Sequence, residues 1–439
     1  MSTNQLLFNS LFTNLKFKHL TKILLYDIFH LYCVQPQYTE ENIMNKVRIA
    51  VIGLGLRGSS LIKQLFLNMD NCVIAAICDV YQDRVDGIAA KIKEVKGTDV
   101  YGTTDYKDII DHKSLFDAAL VITSWESHVK IACETMEAGI PTGLEVGGAY
   151  DINECYDLVK TQVKTKTPFM FLENCCYGRF EMMAMNMVKQ GLFGEIVHCE
   201  GGYMHDLRTE ILRGEEIRHY RLNNYINRNC ENYPTHELGP IAQILDINRG
   251  NRMLYLTSMS SKSVGLNDYA RLHPETIQEK LQTQKFNQGD IVTTNIMCEN
   301  GATISLTLDT CCGRPYSRKF TVHGTRGIYQ EDGKFVYLDT DFDESSHWTW
   351  EKHYKNAYDY TEKYEHPVWK KFLSDGVRGG HGGMDYLVYN EFFNYVMNGG
   401  ESPIDVYDAA AWMCITPLSA ISIREGSRPV EIPDFTTIK

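Results

Sequence analysis

The stretch Val47–Gly58, VRIAVIGLGLRG, constrains this chain more than any other. A short β-branched run enters Gly53-Leu54-Gly55-Leu56-Arg57-Gly58, and the helix-compatible segment Ser59–Met69 follows. In such a G-x-G-x-x-G turn the first glycine permits a tight bend and the second lets the backbone approach a pyrophosphate. The third lets the helix pack closely on the strand. The free N–H groups and positive dipole end of that helix then face the phosphates. The glycine pattern alone is weak, and its surroundings decide. Cys72–Asp79 reads as a second buried strand ending in an acid. Asp79 stands about twenty residues beyond Gly58, the interval at which a carboxylate reaches a ribose 2′-hydroxyl. A carboxylate there repels a 2′-phosphate, which favours NAD over NADP, although Arg84 stands close behind.

Strand and helix go on alternating. Helix Arg84–Lys96, strand Phe116–Thr123, helix Val129–Ala138, strand Pro141–Val146, helix Ile152–Thr165 and strand Phe169–Glu173 specify an open parallel sheet. Ligands bind such sheets at the strand carboxyl ends. Asp79, Trp125, His128, Glu145 and Asn174 all stand just past strand ends and should converge on one crevice. Past residue 175 the pattern changes. Phe180–Gln190 reads as a helix whose Met182, Met183, Met185 and Met187 are core filler. The polar connection Asp206–Pro234 is long enough to be functional, and Thr235–Asn248 reads as a helix. Gly194–Tyr203, Arg252–Ser260, Ile291–Cys298, Thr303–Asp309 and Phe320–Gly324 are strands, mostly at hairpin spacing, and Tyr386–Met397 and Tyr407–Ser422 are closing helices.

The expected fold is α/β. An N-terminal Rossmann dinucleotide-binding domain, residues 44–174, precedes an α+β domain, residues 175–439, with a large, mostly antiparallel sheet for substrate binding and oligomerisation. An exposed face on that sheet points to a homo-oligomer, most plausibly a dimer. Residues 1–43 are expected to be a poorly structured extension, with Met44 as an alternative start directly ahead of the first strand. Their apolar stretch Leu20–Val34 is broken by Lys22, Asp27 and His30, too short for a membrane span and without a clear signal peptide. A net charge of −12 over 439 residues excludes nucleic acid or an anionic membrane as the main partner. Thirteen scattered cysteines show no CxxC or Cys/His metal spacing, so reduced thiols, no metal and a cytoplasmic location are expected.

Four clusters could carry chemistry beyond the dinucleotide fold. Glu173-Asn174-Cys175-Cys176-Tyr177 closes the last parallel strand and places an amide and a phenol near the nicotinamide end. Neither cysteine has a basic neighbour that would make it a nucleophile. Tyr203-Met204-His205-Asp206-Leu207-Arg208, with Arg221 and Asn223-Asn224, offers donors and acceptors to a polyhydroxylated ligand. In Asn232-Tyr233-Pro234-Thr235-His236-Glu237 the threonine could cap a helix and hold Tyr233 and His236 on one side of its start. A histidine so placed can take a proton from a sugar hydroxyl as hydride leaves the same carbon. The fourth cluster is Arg314-Pro315-Tyr316-Ser317-Arg318 with the glycine-flanked His381, where the backbone can approach a ligand closely.

From Lys46 to the C-terminus these residues resemble the glucose–fructose oxidoreductase/inositol dehydrogenase superfamily, and within it glycoside hydrolase family 109, the NAD-dependent α-N-acetylgalactosaminidases. The blocks are GLGLRG, WESH at Trp125–His128, ENCCYGRFEMM, GGYMHDLR, NYPTHELGP and RPYSR. The resemblance implies NAD contacts from Gly53, Gly55, Leu56, Arg57, Gly58, Asp79, Trp125, Glu126, Ser127, His128, Glu145, Val146 and Asn174. It implies sugar contacts from Tyr203, Arg221, Tyr233, Pro234, Thr235, His236 and Tyr316, to which the glycine-rich segment adds His381. Sugar dehydrogenases of this kind carry Glu-Lys-Pro where this chain has Glu145-Val146-Gly147, so the lysine that assists hydride transfer is absent. Gly147-Gly148 also replace the family's usual small apolar residues.

The implied reaction removes a terminal α-N-acetylgalactosamine from a glycan or glycoside. The sugar is oxidised at C3 with His236 as base, and loss of the C2 proton to Tyr233 or Tyr177 expels the C1 substituent. Water adds, and C3 is reduced again, so NAD is regenerated and stays bound. The alternatives are a net NAD-dependent sugar or polyol dehydrogenase and a sugar sensor that keeps a dinucleotide for structure.

Overall fold

The computed structural model describes residues 46–341, 343 and 348–439, which build a six-stranded and an eight-stranded sheet. The expected extension 1–43 and the alternative start at Met44 lie outside the described residues.

The first sheet comprises β1 (Val47–Ile52), β2 (Cys72–Cys78), β3 (Tyr101–Thr103), β4 (Ala118–Val121), β5 (Thr142–Leu144) and β6 (Phe169–Phe171). All neighbours are parallel, in the order β3-β2-β1-β4-β5-β6. The order reverses between β1 and β4, which opens a crevice at their carboxyl ends. β4 is buried at every residue and β1 at all but Arg48, as strands covered by helices on both faces must be. The helix after the glycine loop begins sooner than its sequence suggests, at Leu56, and ends at Gln64, ahead of a 3-10 turn at Phe66–Asn68.

The second sheet comprises β7 (Ile196–Met204), β8 (Met253–Ser260), β9 (Ile291–Cys298), β10 (Thr303–Asp309), β11 (Thr321–Gly324), β12 (Gly327–Gln330), β13 (Phe335–Leu338) and β14 (Val430–Glu431). Its order is β13-β12-β11-β7-β10-β9-β8-β14, and β7–β10 is the parallel pair in an otherwise antiparallel sheet. Helix Thr235–Ile244 crosses its inner face. A Cβ on Gly201 of β7 would stand 2.5 Å from Glu237 Cβ, so glycine there lets the helix approach. This contact brings the start of the helix, with Tyr233 and His236, to Tyr203 near the end of β7. On the outer face Tyr255, Met259 and Ile291 are exposed; the register that opposes Met259 to Thr293 puts them on one side.

Met182, Met183 and Met187 are buried core residues, as the sequence suggests. The connection after β7 holds two short helices, Arg208–Leu212 and Arg221–Asn227. The single closing helix expected at Tyr407–Ser422 is two, Val406–Met413 and Ile415–Arg424, the first opened by an Asp405–Asp408 capping box. Val406–Arg424 has the length and hydropathy of a membrane crossing, but 78% of it is buried inside the protein, as in a core helix.

Candidate active site

β1 runs into Gly53, whose φ of +105° suits only glycine. A Cβ on Gly53 would stand 2.3 Å from the Ile122 carbonyl oxygen, and one on Gly58 2.0 Å from the Gly53 carbonyl oxygen. A Cβ on Gly55 would meet nothing nearer than Arg84 at 3.7 Å. Packing therefore fixes the first and third glycines, while the second opens onto space at a helix N-terminus that has no side-chain cap. That is the cradle a pyrophosphate fits. Asp79, just past β2, accepts hydrogen bonds from the Leu54 N–H (2.8 Å) and the Tyr81 N–H (3.0 Å). Arg84 donates to Asp79 (3.4 Å) and to the carbonyl oxygens of Ile217 and Arg218 (both 3.2 Å). With Arg84 so engaged, the acid's preference for NAD stands.

Arg57, inside the glycine loop, joins a network that reaches the far end of the chain. Its Nε donates to Glu145 (3.0 Å), and Nη1 and Nη2 grip the Asp385 carboxylate (3.0 and 2.9 Å). Asn174 donates to Asp385 (2.8 Å), Tyr389 to Glu145 (2.8 Å), and His381 Nδ1 lies 2.7 Å from Asp385. Burial raises the Asp385 carboxyl, but His381 and Arg57 outweigh it and hold it well below the usual carboxylate range. Glu145 and Asn174, two of the residues expected at one crevice, are thus brought to Arg57 through Asp385 and Tyr389, to which the sequence reading gave no role. Asp385 and Tyr389 lie one turn apart on helix Met384–Asn398, a spacing that was the available signal. His381, expected beside the sugar, joins this loop network instead, so the fourth sequence cluster divides.

Trp125 and His128 follow β4 and are each only 1% exposed. Trp125 Nε1 and His128 Nε2 are buried without a hydrogen-bond partner. Burial lowers the His128 pKa to about 4, so its ring is neutral near pH 7. A Cβ on Gly147 would lie 2.4 Å from Trp125 Cδ1, and one on Gly148 1.9 Å from Thr416 Oγ1. The Gly147-Gly148 departure is therefore a packing requirement of the indole and of Thr416. Val146 packs against the same cluster as Trp125, Tyr203 and Tyr233, an apolar wall where a Glu-Lys-Pro pattern would put an ammonium group. Glu126 accepts from Asn224 (2.8 Å), and Ser127 donates to the Ser124 carbonyl (3.2 Å).

Beside this wall stands a ring cluster. The Tyr203 and Tyr233 rings are 4.4 Å apart, and His236 is 5.5 Å from Tyr203 and 4.8 Å from Tyr233. The buried Arg221 guanidinium lies 5.2 Å from both the Trp125 and the Tyr233 rings. Its Nε pairs with Glu210 (3.0 Å), while Nη1 has no hydrogen-bond partner. Tyr316 forms the rim, 51% exposed and edge-on to His205 at 5.1 Å. The second and third sequence clusters and Tyr316 of the fourth therefore converge.

His236 is backed by a residue the sequence placed in another cluster. Its Nδ1 lies 2.7 Å from Glu173 Oε1, which also accepts from the Cys175 N–H (3.0 Å). Burial raises the fully buried Glu173 carboxyl, but His236 outweighs burial and the net shift is downward. A carboxylate only accepts, so the proton sits on Nδ1 and Nε2 is left to take another. Glu173, Cys175 and His236 bring ligand-type atoms within 4.8 Å of one another. Within that group His236 Nδ1 and Glu173 Oε1 are already bonded to each other, and burial pushes the Cys175 thiol well up.

Two local expectations need correction. Thr235 does not cap its helix. Pro234 already has helical angles, Thr235 is the first helical residue, and its Oγ1 is buried without a partner. Tyr177 stands in the main core, in a 3-10 turn whose carbonyl accepts from Trp369 (2.9 Å), apart from the cluster that holds Tyr203 and Tyr233.

Residues 177–439 match the family model for the glycosyl hydrolase 109 C-terminal domain. Residues 47–171 match that for the oxidoreductase family, NAD-binding Rossmann fold. A glycosyl hydrolase family 109 protein of Stenotrophomonas maltophilia is 37% identical over 89% of this chain and 89% of its own. The alpha-N-acetylgalactosaminidase of Tannerella forsythia is 36% identical over 89% of this chain and 86% of its own. Among solved structures, an inositol dehydrogenase homolog of Azotobacter vinelandii complexed with NADH and myo-inositol superposes with a TM-score of 0.64 at 15% identity. The match covers 88% of this chain and 98% of that one, a likeness of fold.

Proposed function

The chain belongs to glycosyl hydrolase family 109 and is an NAD-using glycoside hydrolase, and from that premise we propose that it releases terminal α-linked N-acetylgalactosamine without net redox change. The observation that carries this reading is the proton-handling set around the pocket. It consists of His236 backed by Glu173, with phenols and Arg221 beside it and the apolar Val146 where a dehydrogenase lysine would stand. In this reading residues 44–174 carry the cofactor and 175–439 the sugar.

Gly53–Gly58, Asp79, Trp125–His128, Glu145, Val146 and Asn174 would hold the dinucleotide, and NAD bound there would supply reversible hydride acceptance. His236 Nε2 takes the proton of the C3 hydroxyl while Glu173 keeps Nδ1 protonated and stabilises the imidazolium. Arg221 offers its unpartnered Nη1 to a sugar oxygen, and Tyr203 and Tyr316 bracket the ring. Oxidation at C3 acidifies the C2 proton. Burial raises all three phenols, those of Tyr177 and Tyr233 more strongly than that of Tyr203. Arg221 opposes that rise at Tyr203 and Tyr233 but is not among the influences on Tyr177, which favours Tyr233 as the C2 base. His381 acts through the Arg57–Asp385 network rather than on the sugar.

The described cysteines are all free thiols, which supports a reducing compartment, the cytoplasm. The exposed Tyr255, Met259 and Ile291 support a dimer through the outer face of the second sheet. The test is incubation of the purified protein with an aryl α-N-acetylgalactosaminide in heavy water. Aglycon release without net NADH, and deuterium at C2 of the product, is the expected result. NADH accumulation without cleavage would mean a dehydrogenase, and release without deuterium at C2 would remove the elimination step.

A further inference from the structure

We propose that Glu216–Arg218, from the long connection after β7, form a strap across the adenosine end of the dinucleotide cleft, so that bound NAD leaves slowly. The proposal rests on the reading of that cleft as the NAD site. One cavity of about 400 Å³ is lined on one side by Leu54, Gly55, Leu56, Ser59, Lys63 and Arg84, and on the other by Glu216–Arg218. Arg84 in its lining donates to Asp79, the acid positioned for a ribose hydroxyl, and Asp79 accepts from the Leu54 N–H, which puts the cavity at the adenosine side of the glycine loop.

The strap is tied down at three points. Arg218 grips the Asp83 carboxylate with both terminal nitrogens (2.9 and 2.6 Å). Arg84 donates to the carbonyl oxygens of Ile217 and Arg218 (both 3.2 Å) while also reaching Asp79. The Tyr81 ring lies under both guanidiniums, 4.8 Å from Arg84 and 4.3 Å from Arg218. Arg218 itself has a φ of +53°, a left-handed conformation that a residue with a side chain keeps only where its surroundings hold it. That turn presents successive carbonyl oxygens to one guanidinium. These ties are individually modest because Arg218 and Asp83 are solvent-exposed. The strap can therefore open for NAD to enter, yet its closure lowers the rate at which NAD departs. Such retention suits a reaction in which the nucleotide is returned to its starting state at every turnover.

The test follows exchange of bound NAD for radiolabelled NAD in the protein as purified, by rapid gel filtration. Arg218→Glu and Asp83→Arg, which each set like charges together, should speed exchange by about two- to fivefold, the upper range expected for loss of an exposed ion pair. The Arg218→Glu/Asp83→Arg swap should restore slow exchange. Asp83→Asn, an isosteric change at an exposed site, serves as a milder variant that keeps the fold. Exchange at the wild-type rate in all single variants, or a swap that fails to restore it, overturns the strap. A wild-type protein that binds no NAD at all would instead overturn the cofactor reading beneath it.

Discussion

Glu173→Gln should leave the protein folded and loaded with NAD yet remove most of its turnover. The substitution preserves side-chain volume and an acceptor for the Cys175 N–H, so the turn Asn174–Tyr177 keeps its geometry. What is lost is a buried negative charge 2.7 Å from His236 Nδ1. Unit charges centred about 4 Å apart attract by about 4 kcal/mol at an effective dielectric constant of about 20. The substrate proton adds positive charge to His236 as it transfers, so this attraction strengthens towards the transition state, and its loss lowers kcat by up to roughly three orders of magnitude. The assay is kcat on an aryl α-N-acetylgalactosaminide, with nucleotide content measured on the same preparation. Glu173 does not touch the Arg57–Asp385 network, so NAD content should be unchanged. A variant keeping a third or more of wild-type kcat would refute the dyad, and one that loses its NAD would refute the separation between dyad and cofactor site. The downward shift of the Glu173 carboxyl also has a sign in stability. The increment is present above the unfolded carboxyl pKa and is lost as pH falls through the folded one, so the variant should lose less stability than wild type on acidification.

Gly147→Ala would push a Cβ to 2.4 Å from the Trp125 indole, so stability should fall by an overpacking cost of about 1–3 kcal/mol, lowering the melting temperature and turnover with it. An unchanged tryptophan spectrum and full activity would refute this. Glu231 is buried, and burial, opposed only by the Tyr233 backbone N–H, raises its carboxyl from 4.5 to about 8. The folded state then holds a proton that the unfolded chain releases, so stability falls as pH rises from 4.5 towards 8. Glu231→Gln should raise the melting temperature more at pH 9 than at pH 5, and an equal shift at both would show that Glu231 does not titrate in this way. Met259→Glu places a charge on the exposed outer face of the second sheet and should convert a dimer to a monomer in sedimentation velocity. A wild-type protein already monomeric at the same concentration would dismiss that face as the interface.

What could be read from the sequence was whatever a local pattern encodes. The glycine loop, the acid past β2 and the residues past β4 and β5 follow from strand length and order, and they stand where expected. The strands of the second sheet were legible where an apolar–polar alternation had room to repeat, as in β9 and β10. β14, of two residues, is too short to show one. The pairings that make the site were illegible for a different reason. Glu173 and His236 stand 63 positions apart, and Arg57 and Asp385 stand 328 apart. Each residue type is common, and only the packing of helix Thr235–Ile244 on β7, or of helix Met384–Asn398 beside the glycine loop, brings the partners together. The strap was harder still, since Arg84 is held there by backbone carbonyls, which carry no residue-type signal.

These long-range pairings bear on how a redox fold performs a hydrolysis. A dehydrogenase that releases its nucleotide needs an open cleft, and a lysine at the reacting carbon helps it complete one oxidation. Here the position after Glu145 is apolar and packed against Trp125's cluster, and the proposed mechanism gives proton transfer to the Glu173–His236 dyad on the other wall. Glu173 closes the first sheet, but His236 stands on the helix that packs on the second, and the connection that supplies the strap leaves β7 of that second sheet. The same part of the chain that binds the sugar therefore also closes on the nucleotide. The two roles are separable by experiment. Arg218→Glu should change the NAD exchange rate while single-turnover chemistry on preloaded protein continues, and Glu173→Gln should do the reverse. If both variants altered both quantities equally, retention and catalysis would be one conformational event, and the division of labour argued from the geometry would be wrong.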